Sequence, residues 1–396
     1  MGTGEAVSPL FDVADMNRYE GRGDNSIVYY SRSDWEGTVT AGPVKLAITA
    51  QMAKDVVLDD EDLPDATGVE FPKMGVSANL QLVNMMDYAK DDPAWETFLD
   101  QLTYADLSAI TLTGLRETVG VSSVGKPATI DHNGPSGVTQ KYSIGPNGYA
   151  EVNDDPDKSL KGTCYPCNGI IAATFNDSLV EEVGELIGED AMWAGYAGLY
   201  GTGLNIHRSP YAGRVFEYYS EDGMLTGLID TAETKGIQSK GVYVYNKHFV
   251  MNDQENNRAG IGTWITEQAL RENYLRAFEL PIVYADAKCV MTGYNRINGR
   301  RCGAFHGLVQ GVLRDEWGFD GVVMTDFGAK TLCWEEIAAG SDIHMLTYPA
   351  GAEQDLENHV FMWSVVPAEY FHASIRRLLT LVMSSRRFRR TIEIQG

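Results

Sequence analysis

Apolar residues in this chain fall into short runs that stop abruptly at polar side chains. The clearest is Gly321-Val-Val-Met-Thr-Asp-Phe-Gly328, where β-branched residues give way to the carboxylate of Asp326. Such a run reads as a buried strand of a parallel sheet. A lone charge is costly to bury in that core. The pattern therefore predicts Asp326 at the mouth of the sheet, where parallel α/β folds bind their ligands. Runs at 128–130, 203–206, 241–245 and 287–291 predict four more strands. Apolar residues at helical spacing predict helices over 95–110, 176–194, 223–239, 264–279, 304–317 and 367–385. Strand and helix recur every 30–45 residues or so, roughly the βα rhythm of a parallel barrel or sheet.

Residues 1–90 lack this rhythm. Short extended pieces such as Ser26-Ile-Val-Tyr-Tyr30 and Val44-Lys-Leu-Ala-Ile48 lie among Gly, Asp and Pro, and Asp59-Asp-Glu-Asp62 reads as a solvated loop. The expected fold is α/β, a TIM-like barrel, irregular or incomplete, over 91–390. An extended N-terminal arm (1–90) precedes it and a short tail (391–396) follows.

The residues just past each run share a chemistry. After 128–130 comes Asp131-His-Asn-Gly-Pro-Ser-Gly137. After 203–206 come His207, Arg208 and Arg214, and after 241–245 come Asn246, Lys247 and His248. After 287–291 come Thr292, Tyr294, Asn295 and Arg296, and after 321–324 comes Asp326. Five such ends at one face of a barrel describe a polar pocket suited to a hydroxyl-rich ligand.

Charge and cysteine content narrow the partners. A formal net charge of −23 disfavours nucleic acid and anionic membranes. No apolar stretch is long enough for a membrane span, and the start resembles no secretory signal, so a cytoplasmic location is expected. Five cysteines, an odd number, do not form a disulfide framework. Cys164-Tyr-Pro-Cys167 lacks the second ligand pair of a zinc site, and no metal or other cofactor is expected. Arg386-Arg-Phe-Arg-Arg390 reads as a solvated helix end.

Four blocks carry a resemblance. Gly201-Thr-Gly-Leu-Asn-Ile-His-Arg-Ser-Pro-Tyr-Ala-Gly-Arg214 with its continuation to Asp222, Lys247-His-Phe-Val-Met-Asn-Asp-Gln-Glu-Asn-Asn-Arg258, Val290-Met-Thr-Gly-Tyr-Asn-Arg-Ile-Asn-Gly299 and Met324-Thr-Asp-Phe-Gly-Ala329 resemble, in order and approximate spacing, glycoside hydrolase family 3. The resemblance covers about 92–390 and implies a retaining β-glycosidase, most readily a β-glucosidase, acting on a β-glucoside or related saccharide. By position it makes Asp326 the nucleophile, with Asn133, Arg214, Lys247, His248, Arg258, Tyr294 and Phe327 contacting the sugar. Retaining glycosidases need a second carboxyl about 5–5.5 Å from the first, as acid and then base. Cations such as Lys247, Arg214 and Arg258 are expected to hold the pKa of Asp326 down.

The chain departs from the family at three places. Asn133 stands where an aspartate is usual, and Thr139-Gln-Lys141 where an arginine is frequent. The family's acid/base glutamate belongs to an α/β sandwich domain that this sequence does not contain. Tyr29-Tyr-Ser-Arg-Ser-Asp-Trp35 resembles the connection found in members that place the sandwich first. The expectation is thus a barrel completed by a partner domain or chain, with a homo-oligomer also open. Rival readings are a carbohydrate-binding remnant without turnover, or an aldolase using Lys247 as a Schiff-base amine. Plainer roles exist residue by residue: Asp326 as a cap, Lys247 as the partner of a buried carboxylate, Tyr294 as packing. Arg214 could pair with Glu217 and Glu221, and Arg258 with Asp253 or Glu255.

Overall fold

In the main sheet the order of strands along the chain is also their order in space. The computed structural model describes residues 73–138, 142–144, 150–152, 163–345, 366 and 368–395. The expectations for 1–72, and for Thr139-Gln-Lys141, lie outside the described residues. One sheet runs β1 (Glu117–Thr118), β2 (Thr129–Asn133), β3 (Gly198–Tyr200), β4 (Tyr243–Phe249), β5 (Cys289–Thr292) and β6 (Val322–Met324). β1 is antiparallel to β2, every later neighbour is parallel, and Met324 bridges onward to Ile343. The sheet curls as half of a TIM-like barrel, consistent with the irregular or incomplete barrel read from the sequence.

Side chains alternate across the sheet. Tyr243, Tyr245, Met291, Val322 and Met324 join one cluster with Trp95 and Phe98 of α1 (Ala94–Leu99). Leu82 and Met85, and the Phe371 and Leu378 side chains further on, belong to the same cluster. Val244 packs against Ile187 of α3 (Asp177–Trp193), while Val290 and Val323 pack with Phe278 and Leu308. Both faces are covered, which is why these strands read as unbroken apolar runs.

Two expected elements are corrected. The helix expected over 95–110 is two, α1 and α2 (Tyr104–Leu112). Thr103 accepts the Asp106 N–H at 3.2 Å and the Asp106 carboxylate accepts the Thr103 N–H at 2.9 Å. This capping box restarts the helix, while both halves keep one apolar stripe. The run at 203–206 is no strand. β3 ends at Tyr200, and Leu204 and Ile206 are buried as part of a loop. The helix expected over 223–239 matches α4 (Gly223–Ser239). The one expected from 264 begins at Glu267 after the Thr266 cap and, through α5 (Arg276–Ala285), continues past Pro281.

α3 and α4 approach so closely that a Cβ on Gly184 would lie 2.3 Å from the Glu233 carbonyl oxygen. Alanine would gain about 1 kcal/mol of helix propensity, but the clash is with backbone that cannot rotate aside. Overpacking costs typically ~1–3 kcal/mol or more. Gly184→Ala is therefore expected to lower stability in a urea melt; a gain would show that the two helices can separate freely.

Between α4 and β4 lie two fully buried carboxyls, Asp230 and Glu233. The Tyr219 hydroxyl sits 3.2 Å from Asp230 and 2.8 Å from Glu233, and one O–H serves one acceptor at a time. Burial pushes Asp230 up to about 7, and burial with the Asp230 charge pushes Glu233 up to about 8. Folded carboxyls with raised pKa hold protons the unfolded chain has released, so their stability contribution is lost as pH rises from about 4 to about 8. Glu233→Gln is expected to melt progressively above the parent as the buffer goes from pH 5 to pH 8. A pH-independent difference would contradict this.

Candidate active site at the strand ends

Aligned parallel strands gather the residues beyond their C-terminal ends on one side of the sheet. A cavity of about 560 Å³ opens there. Asn133 at the end of β2, Lys247 and His248 of β4, Tyr294 beyond β5, and Asp326 and Phe327 beyond β6 line it. Arg214 and Arg258 reach it from loops, so all eight residues singled out in the sequence meet in one place.

Lys247 and His248 are neighbours, and a regular strand would send them to opposite faces. They lie within β4 rather than after it, and the register with β5 shifts between Lys247 and Phe249. That irregularity re-aims side chains, and both line the cavity. Asn205 fixes His248: its Oδ1 accepts the His248 N–H at 3.0 Å and its Nδ2 donates to the His248 carbonyl at 2.9 Å. The Tyr218 hydroxyl lies 3.3 Å from Nδ1. Asn205 Oδ1, which can only accept, lies 3.2 Å from the same Nδ1, and Nε2 faces Asp326 Oδ2 at 3.5 Å. Burial, and then Arg214, Lys247 and Arg258, hold the imidazole pKa well below its ordinary value, so the ring is neutral.

Asp326 Oδ1 accepts the Phe327 N–H at 2.7 Å, while Oδ2 is buried with no hydrogen-bond partner in the protein. The sequence led us to expect a lowered pKa. The structure corrects this: burial raises it, outweighing the Phe327 N–H, Lys247, Arg258 and Arg214. The cations are engaged elsewhere. Arg214 grips Glu217 through Nε at 2.9 Å and Nη2 at 2.6 Å, and Lys247 Nζ is 3.6 Å from the same carboxylate. Arg258 lies 2.8 Å from Glu255, which is also 3.8 Å from Arg214. Burial pushes Glu217 up, but Lys247 and Arg214 outweigh it and leave its pKa below the usual range. The ion-pair roles weighed for Lys247, Arg214 and Arg258 are thus realised, with Glu217 and Glu255 as the partners, on side chains that also face the cavity.

The Arg258 guanidinium lies 4.4 Å over the Tyr294 ring, whose hydroxyl donates to the Phe327 carbonyl. Burial and then the Asp326 charge raise the Tyr294 pKa. Phe327 is 53% exposed and forms an open apolar wall. A ring with several hydroxyls would meet, in this cavity, cations and an imidazole for its oxygens, a carboxylate at one edge and a flat apolar surface.

The model of the glycosyl hydrolase family 3 N-terminal domain matches residues 157–381. This chain belongs to glycosyl hydrolase family 3. It is similar to β-glucosidase 3B from Thermotoga neapolitana, solved with glucose: TM-score 0.67, 32% identity, 75% of this chain and 43% of that one. It is 36% identical over 257 residues to β-glucosidase A of Butyrivibrio fibrisolvens, covering 63% of this chain and 29% of that protein. It is 38% identical over 226 residues to an exo-α-(1→6)-L-arabinopyranosidase of Bifidobacterium longum, covering 57% and 29%. The chain thus spans less than a third of these two relatives.

Not every strand-end residue reaches the family 3 cavity. His207 Nε2 sits 2.9 Å from the carbonyls of Val215 and Tyr218 and ties down the loop that carries Arg214. Arg208 and Asn295 line a neighbouring cavity instead. The sequence reading missed Arg116, Tyr200, Glu255, Met291 and Met345 in the wall. Arg116 precedes β1, and its backbone N–H donates to the Tyr200 hydroxyl at 2.8 Å. No spacing signal announces a residue at that end of a strand. Glu255 was visible as a partner of Arg258 but not as lining. Among the described residues no group of three or more His, Cys, Asp or Glu could hold a metal, and no helix is long and apolar enough to cross a membrane.

Proposed function

We propose that this barrel is the sugar-binding, nucleophile-bearing half of a retaining β-glycosidase, acting on a terminal β-glucoside or a close relative. The observation that carries the reading is Asp326 Oδ2, buried, unpartnered and aimed at a cavity edged by His248, Lys247, Arg214 and Arg258. Asp326 attacks the anomeric carbon and forms a glycosyl ester as the aglycone leaves. Lys247, His248 and Arg214 hold sugar hydroxyls, Arg258 and Tyr294 support the edge nearest Asp326, Phe327 backs the ring, and Asn133 contacts hydroxyls with weaker, uncharged bonds.

A second carboxyl must give the leaving oxygen its proton. Among the described residues lining the cavity, the other carboxyl is Glu255, which is held by Arg258 and by Asn252 Nδ2 at 3.1 Å. The acid/base is therefore assigned to a partner domain or chain. The same observation favours a second reading, a sugar-binding protein without turnover.

Intact-mass spectrometry after incubation with 2,4-dinitrophenyl 2-deoxy-2-fluoro-β-glucoside separates the two. Dinitrophenolate leaves unprotonated, so the acid is not needed. One added fluoroglucosyl unit supports the nucleophile. Glucose binding without an adduct supports the binding protein.

A further inference from the structure

Residues 251–256 divide the active-site cavity from a second one of about 390 Å³, whose wall includes Arg208, Asn252, Asp253, Trp264, Tyr274 and Asn295. Two acceptors of this wall, Asn252 Oδ1 and Asn295 Oδ1, are shielded from solvent with no hydrogen-bond partner in the protein, and the shielded Asp253 carboxyl has only Tyr274 and Arg208 beside it. Asn252 is 2% exposed and Asn295 1%. Neither amide can turn to relieve its oxygen without losing bonds made by its nitrogen. Asn252 Nδ2 donates to Glu255 at 3.1 Å and Tyr218 at 3.4 Å, and Asn295 Nδ2 donates to the Val250 carbonyl at 3.0 Å. Buried unpaired acceptors are costly. Two around one cavity, beside a carboxyl, call for donors supplied by an occupant. Arg208, on the same wall, opposes a cation in that role. Trp264 and Tyr274 add aromatic surface, which hydroxylated rings use as a platform.

We infer that this cavity is a second saccharide site, taking a neutral polyhydroxylated ring that donates to Asn252, Asp253 and Asn295, accepts from Arg208 and lies against Trp264. Asn252 is common to both sites, its nitrogen bonded to Glu255 of the first wall and its oxygen turned to the second. Burial raises Asp253 to about 7, and Arg208 and Tyr274 offset this only in part. The site stands whether or not Asp326 forms an ester.

The test is titration of the full chain with glucose and with cellobiose, followed by calorimetry and tryptophan emission. The expected stoichiometry is above one. Asp253→Leu weakens the second event at least ~10-fold, and Lys247→Ala removes the first event while sparing the second. Trp264→Phe removes the emission change of the second event, and it decides the matter if Asp253→Leu does not fold. A single event unchanged by Asp253→Leu and Trp264→Phe overturns the inference. So does a response to K⁺ or Ca²⁺ in place of sugar, which makes the cavity a cation site. No response to any of these overturns it too, leaving the unpaired oxygens to internal water.

Discussion

Asp326→Ala is expected to take up no fluoroglucosyl label under conditions that label the parent fully. Loss of a nucleophile removes the covalent route altogether, and such deletions cost ~10⁴-fold or more in rate. The variant should still bind glucose, because Lys247, His248, Arg214 and Tyr294 remain on the cavity wall. Peptide mapping of the labelled parent should place the adduct at Asp326. Label on Glu217 or Glu255 instead would reject the assignment. The pH dependence adds a sharper check. Burial raises Asp326 above the usual carboxylate range, and only the carboxylate attacks. The labelling rate should therefore fall with falling pH through a limb above ~4, the value of a free aspartate. A limb at or below that value would mean that the cations, despite their ion pairs, outweigh burial.

Asp342→Ala is expected to be the most destabilising single change in the barrel. Its carboxylate is 0% exposed and takes four bonds. Oδ2 accepts from Arg314 Nη2 at 2.8 Å and from the Val323 N–H of β6 at 2.7 Å. Oδ1 accepts from Arg377 Nε at 2.9 Å and Nη2 at 2.7 Å, which brings in α6 (Ala368–Ser384). Removing it leaves the Arg314 guanidinium buried with carbonyl oxygens alone, and breaking one side of a buried pair costs ~3–5 kcal/mol. Urea unfolding checks this. Asp342→Asn, which keeps an acceptor for Val323 but no charge, should fall between Ala and the parent. A loss below about 1 kcal/mol for Ala would mean that water reaches Arg314.

The sequence by itself determined the parallel α/β class, the family and the membership of one pocket. Runs bounded by polar ends mark buried strands, and the apolar period made α4 legible to the residue, with the Asp222 cap at its start seen in the structure. Asn133, Lys247, His248, Tyr294 and Asp326 were legible because strand ends in parallel folds share a face, while Arg258 and Phe327 followed only from the resemblance to the family. Tertiary structure alone decided three things. The shift in β4 lets the neighbours Lys247 and His248 share a cavity, and strand periodicity cannot encode a register break set by β5. Burial of Asp326, with Arg214, Lys247 and Arg258 engaged by Glu217 and Glu255, reversed the expected direction of the Asp326 pKa. A pKa depends on burial and on distances through space, which spacing along a chain does not carry. The second cavity was invisible for the same reason: Arg208, Asp253 and Asn295 are far apart in sequence, and only the folded loops bring them together.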